Sequence, residues 1–209
     1  EVTTIDVEFR EHWGGIFAAH PWLDGPQDTY LGSWVKGGGA CGEHSHALNL
    51  RSLISESASC GKVENLCASM RMHGNSGTNV DYDGLCTVNL TTEKGLVGRC
   101  VQDVYTSPSK KWARLQGEAG FLEWYCGVAG DPDVVVYQSE EMEFPENRSF
   151  PKTRPLDFIT ELKHIKAVID GKYLGESPIS LRRGIDTMAI IAACHESRRS
   201  GATVRVRYP

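Results

Sequence analysis

No run of apolar residues in this 209-residue chain approaches the ~20 needed to cross a bilayer, and the first residues, EVTTIDVEF, lack a secretory signal's charged head and apolar middle. Neither insertion in a membrane nor secretion is expected, and the chain reads as cytoplasmic. A basic excess is missing too. The 22 Lys and Arg are outnumbered by 27 Asp and Glu, leaving a net charge of −5, and the cations are scattered rather than striped. Such a surface is not built to neutralise phosphates, so nucleic acid is not an expected partner. The seven cysteines contain no C-x-x-C and are odd in number; lying within apolar patterns, they read as free buried thiols of a reducing compartment. Internal repeats and low-complexity tracts are absent. With 40% hydrophobic residues, the length suffices for one domain with a proper core, residues 1–209.

Residues 1–13 alternate as a half-buried strand (Val2, Ile5, Val7, Phe9), and 14–36 is a long connection rich in Gly, Pro, Trp and Asp. From Ala40 to Ile54 apolar residues recur at Ala47, Leu48, Leu50, Leu53 and Ile54, predicting a helix with Arg51 and Ser52 outward. KVENLCASMRMH, YDGLCTVNLTTEKGLVGRCVQDVYT and KKWARLQGEAGFLEWYC predict a meander of strands with turns at Glu93–Gly95 and Gly117–Gly120, continued by DVVVYQ and EEMEF. NRSFPKTRP reads as a linker. Two helices follow, Leu156 to Ile169 and Leu181 to Ser200, ended by Gly171 and Gly201, and Ala202 to Tyr208 alternates as a closing strand. Each helix has one apolar side to bury. The predicted class is therefore α+β: an open, mainly antiparallel sheet with helices packed on one face. Strands such as LCTVNL, LVGRCV and DVVVY offer apolar side chains in both directions, which predicts a bare apolar sheet face covered by a second copy in a homodimer or homotetramer.

GGGACGEHSHALNL, Gly37 to Leu50, is the stretch with the most chemistry. A phosphate cradle is one reading, but the Walker A string is missing. The dinucleotide fingerprint, G-x-G-x-x-G after a strand with an acid about 20 residues later, is read as absent as well. A metal site is a second reading, because Gly38 followed by His44-Ser45-His46 copies the first half of a cupin signature; the Glu that should follow is replaced by Asn49 and Leu50, so no metal is expected. The third reading is a proton-transfer site at the mouth of a pocket. The preceding loop holds His12, Trp13, His20, Trp22, Asp24, Tyr30 and Lys36, flat apolar faces with polar ends that suit a sugar ring.

GGGACGEHSHALN resembles the G-G-G-A-x-x-D-x-G-x-H-x-x-D stretch of the Gfo/Idh/MocA oxidoreductases. WARLQGEAGFLEW is similar to that family's strand-turn-strand element. PLDFITELKHIKAVIDGK with PISLRRGIDTMAIIAACHESRRSGATVRV is similar to its closing helices and last strand. The resemblance covers only the family's C-terminal substrate-binding and dimerisation domain. It implies a nicotinamide-dependent oxidoreductase of a sugar, polyol or related compound, with NAD or NADP bound mainly by an N-terminal Rossmann domain that this stretch of chain does not include. By itself the chain would then be inactive and offer no cofactor-binding residue. Two alternatives stay open: an NAD-dependent glycosidase of the same superfamily, and a non-catalytic sugar-binding or assembly domain.

The resemblance places the family's catalytic His on His46, which would accept the proton of a substrate hydroxyl, as imidazole suits. The family's acid falls on Gly42, so Glu43, one residue later, is the candidate to orient His46; it also fits as an ordinary first-turn Glu. Lys36, His44, Asn49, Trp22 and Tyr30 are the candidate substrate contacts.

Overall fold

In a computed structural model the chain is described over residues 1–74, 80–128, 130–153 and 155–209. Among the described residues nine strands form one sheet: β1 Val2–Arg10, β2 Val63–Gly74, β3 Asp81–Thr92, β4 Val97–Asp103, β5 Lys110–Gly117, β6 Gly120–Tyr125, β7 Asp133–Ser139, β8 Glu146–Phe150 and β9 Val204–Arg205. Their order is β8-β7-β6-β5-β1-β4-β3-β2-β9. Two meanders, β2-β3-β4 and β5-β6-β7-β8, thus flank β1. It pairs parallel with β4 and antiparallel with β5, and every other pair of adjacent strands is antiparallel. The architecture is the expected α+β one.

Among the described residues five α-helices accompany the sheet: α1 Gly14–Ala19, α2 Gly39–Glu43, α3 His46–Ser57, α4 Leu156–Ile169 and α5 Leu181–Ser200. The core lies between α3, α5 and the β1–β4 half of the sheet. Ile5, Val7, Leu66, Cys86, Val88 and Cys100 meet Ala47, Leu48, Ile190, Ala193 and Cys194 there, all buried. Alternation along the strands explains the division of faces: in β3 Cys86, Val88, Leu90 and Thr92 are buried against the helices, whereas Thr87 and Asn89 point the other way. The seven thiols are free; five are buried, Cys126 is half-buried and Cys67 is exposed.

Several expectations need correction. The helix predicted from Ala40 to Ile54 is two helices broken at His44-Ser45. The inward stripe of α3 is Ala47, Leu48, Arg51 and Ser55, so Arg51 is inside and Leu53, 38% exposed, is outside. EEMEF is not a strand but turns; β8 lies in ENRSF, inside the expected linker, whose Arg154 falls outside the described residues. The closing strand shrinks to Val204–Arg205 because β2 pairs with it only at Asn65 and Leu66. Helix α4 buries none of its residues.

The bare sheet face also differs from expectation. On the β1–β5 part it carries ion pairs: Asp6 with Arg99 (3.8 Å), Glu8 with Lys110 (2.9 Å), Arg10 with Asp103 (2.5 Å) and, toward β6, Arg114 with Glu123 (2.7 Å). Apolar side chains collect farther along. The pairing register puts Tyr125 of β6 between Trp112 of β5 and Val134 of β7, while Val136 faces Glu123 and Phe121 lies between Gln116 and Gln138.

Candidate functional site

The glycine stretch is anchored by Asp83 of β3. Its side chain is fully buried, Oδ2 accepts the Cys41 amide (2.8 Å), and Oδ1 has no hydrogen-bond partner among the described residues. A Cβ on Gly39, which has φ +82°, would lie 2.1 Å from that Oδ1. Gly38 is extended, and a Cβ there would sit 2.3 Å from the carbonyl oxygens of Tyr30 and Leu31. A Cβ on Gly42 would meet the Gly37 carbonyl at 2.3 Å. The spacing Gly37, Gly39, Gly42 does satisfy the bare string G-x-G-x-x-G, yet a 3-10 turn over Trp34–Lys36, not a strand, precedes it. The faces of Gly38, Gly39 and Gly42 are filled by this chain's own atoms, so the stretch does not fit a dinucleotide's phosphates. The glycines serve close packing instead.

Burial is the main cause that pushes the Asp83 carboxyl up to about 7, against the lowering effect of the amides it accepts. The folded state then holds a proton that the unfolded state, with the ordinary value of 3.8, has already released. This group's contribution to stability is present below about pH 4 and is lost as pH rises through about 7, a change on the order of 4 kcal/mol. Unfolding wild type and Asp83→Asn in denaturant from pH 4 to 8 should show a falling slope in the former that is missing from the latter. Parallel profiles would contradict it.

His46 is the first residue of α3, and its ring lies on Phe9 of β1 (centroids 4.8 Å apart). Phe9 pairs with Lys111 of β5 on the helix-bearing face. Lys111 in turn sits over the Phe9 ring (4.6 Å) and bridges to Glu11 (2.9 Å). His46 is exposed, and partial desolvation against its neighbours lowers its pKa; Glu43 and Glu11 oppose that shift and Lys111 adds to it. The imidazole is therefore neutral at neutral pH and ready to take a proton. Glu43, at the end of α2, accepts the Tyr30 hydroxyl (2.6 Å), which raises that phenol to about 12. His44 is buried, with Nε2 3.2 Å from the Glu11 carbonyl oxygen, and desolvation lowers its pKa as well.

Of the residues singled out from the sequence, His46, Glu43, Tyr30 and His44 thus come together. Asn49 is engaged elsewhere, its Nδ2 donating to Thr187 of α5 (3.2 Å). Trp22 is 73% exposed, edge-on to His20 (5.2 Å), and Lys36 is exposed at the end of its turn. Sequence reasoning missed Phe9, Glu11 and Lys111. A signal existed for Lys111, since it shares parity with Ala113 and Leu115 and so is a lysine on the core face of its strand. Among the described residues no three His, Cys, Asp or Glu side chains are placed to hold a metal ion.

The fold, an open and mainly antiparallel sheet with helices on one face, recurs within solved oxidoreductases. A levoglucosan dehydrogenase in complex with NADH and L-sorbose matches all of this chain with a TM-score of 0.75 at 14% identity, over 59% of its own length. An aldose-aldose oxidoreductase from Caulobacter crescentus complexed with glycerol matches 98% of the chain (TM-score 0.70, 16% identity, 55% of its own length). The WlbA dehydrogenase from Bordetella pertussis in complex with NADH and UDP-GlcNAcA matches 100% (TM-score 0.62, 16% identity, 56% of its own length). At such identities the likeness is one of fold. The chain spans between 55 and 59% of the length of these three proteins. No protein-family model and no curated protein sequence matches it.

Proposed function

We propose that this chain is the substrate-binding and oligomer-forming part of a Gfo/Idh/MocA-type, nicotinamide-dependent oxidoreductase acting on a sugar, polyol or sugar-derived compound. The observation that carries this reading is His46: a neutral imidazole on an aromatic platform, flanked by a cation and two carboxylates, in a fold shared with dehydrogenases solved with sugars. NAD or NADP would supply the hydride chemistry from a separate dinucleotide-binding domain. The residues present do not cradle a pyrophosphate, so only the proton is assigned here. His46 accepts it from the substrate hydroxyl, Lys111 favours the neutral imidazole beforehand, and Glu43 and Glu11 offset the charge that develops. His44 holds the loop, and Lys36, Trp22, Tyr30 and Asn49 remain the proposed polar and aromatic contacts to the substrate.

The apolar surface of α4 supports a covering body. Leu156, Phe158, Leu162 and Ile169 are 50%, 51%, 64% and 78% exposed, more than a lone soluble domain usually leaves together. Titration by NMR and calorimetry tests the division of labour. Free sugars or polyols should shift the His46 and Lys111 resonances of the chain, while NADH and NADPH should not bind it. Micromolar dinucleotide binding would refute the assignment.

The proposed assembly as a homodimer or homotetramer through the bare sheet face would be centred on the row Trp112–Tyr125–Val134 beside the ion pairs. Light scattering at tens of micromolar should give a mass of at least two chains. A monomer would end this part of the proposal.

A further inference from the structure

We infer that the helix side of β5, β6 and β7, next to His46, carries a second carbohydrate subsite built on Trp124 and Lys152, and that the compound this chain holds is a neutral glycan of at least two linked rings, a disaccharide or a glycoside. This rests on the reading of His46 given above and deepens it. The pairing register fixes the side that Trp124 takes. It lies opposite Ala113 of β5, which lies opposite the core residue Val7 of β1, so the indole stands on the face that bears the helices. Helices α3 and α5 cover that face only over the β1–β4 half. Beyond it the sheet is open: Leu122 and Tyr137 are exposed, and Trp124 is half-buried at the margin of the core. The indole is held at its rim. Trp124 Nε1 donates to Asp133 Oδ2 (3.2 Å), and Asp133 Oδ1 accepts the Gly127 amide (2.9 Å) and the Lys152 ammonium (2.6 Å). Lys152 also donates to Cys126 Sγ (3.1 Å), which leaves one of its three N–H groups for a ligand hydroxyl. A fixed aromatic ring with a polar donor beside it suits the apolar C–H face and the hydroxyls of a sugar ring.

Span and charge decide what fits. Going from Phe9, the platform of His46, to Trp124 crosses two strand spacings, about 10 Å. A single ring with its reacting hydroxyl at His46 ends over Lys111 on β5, and a second ring linked to it comes to lie over β6. The cations along this row are matched, Lys111 by Glu11 (2.9 Å) and Lys152 by Asp133 (2.6 Å), and Glu43 adds a further carboxylate beside His46. Arg148, farther out on β8, has Glu146 two residues away on the same face. Among the described residues no spare positive charge stands there to hold a phosphate, which disfavours a sugar phosphate or a nucleotide sugar.

Binding to the chain separates one ring from two. Glucose and the disaccharides maltose, cellobiose, lactose and sucrose are titrated while the His46 and Lys152 resonances and the tryptophan emission are followed. Glucose should shift His46 alone. At least one disaccharide should bind about tenfold or more tightly than glucose, shift Lys152 as well and change the tryptophan emission. Trp124→Leu should remove that advantage and the emission change and leave glucose binding as it was. Lys152→Met, an exposed substitution, should remove part of the advantage, and it decides if Trp124→Leu does not fold. Disaccharides no tighter than glucose, an advantage that survives both substitutions, or UDP-glucose bound more tightly than any disaccharide would overturn the subsite and leave His46 its role. A chain in which no sugar shifts His46 would overturn the underlying reading, and the subsite with it.

Discussion

Replacing His46 by alanine in the assembled oxidoreductase is expected to lower kcat by roughly 10²–10⁴-fold, the usual worth of a positioned general base, with cofactor affinity and folding nearly unchanged. The platform survives the change, because Phe9 keeps Lys111 above it (4.6 Å) and Lys111 keeps Glu11 (2.9 Å). His44→Ala should act differently. That ring is buried against Phe9 (5.8 Å) and the Glu11 carbonyl, so its loss costs stability more than turnover. Steady-state kinetics on both variants, read beside their unfolding curves, separates the two. Equal losses of kcat, or an intact kcat in His46→Ala, would remove His46 from the role. A His-x-His metal site would instead predict loss of an ion from both variants.

Gly38→Val should unfold or severely destabilise the chain, by about 3 kcal/mol or more, since a new Cβ would meet two backbone carbonyls that have no flexible end to swing away. Gly37→Ala provides the control. Gly37 has φ +90° with nothing within 4 Å of a Cβ, so the cost there is only the backbone strain of a left-handed residue, about 1–2 kcal/mol. Denaturant unfolding of both variants should rank them in that order. A Gly38→Val chain as stable as wild type would show that the loop can shift as a unit.

Much of this fold was legible because period-two alternation survives in nearly every strand, and because Gly171 and Gly201 close their helices with left-handed backbone. What escaped was non-local or masked by polarity. Nothing within EVTTIDVEF says that it will enter between two meanders, since that choice is made by partners far along the chain. The phase of α3 was misread because two of its inward residues, Arg51 and Ser55, are polar, and a pattern built on apolar residues turns such a helix the wrong way. ENRSF passed for linker because all of β8 is exposed and carries no burial signal. Within the candidate site, His46 and Glu43 were named by the family resemblance, whereas Phe9 and Lys111 join them only through the β1–β5 register.

The middle position of β1 also sets how the chain must be made. This strand is synthesised before either of its partners, and Ile5 must await Gly98 and Leu115, about a hundred residues later, before both its edges are paired. Closing loops of that length precedes any reward from the contacts, so folding should be slow for the chain's size. Until then a strand with one apolar face and two open edges is available to other chains.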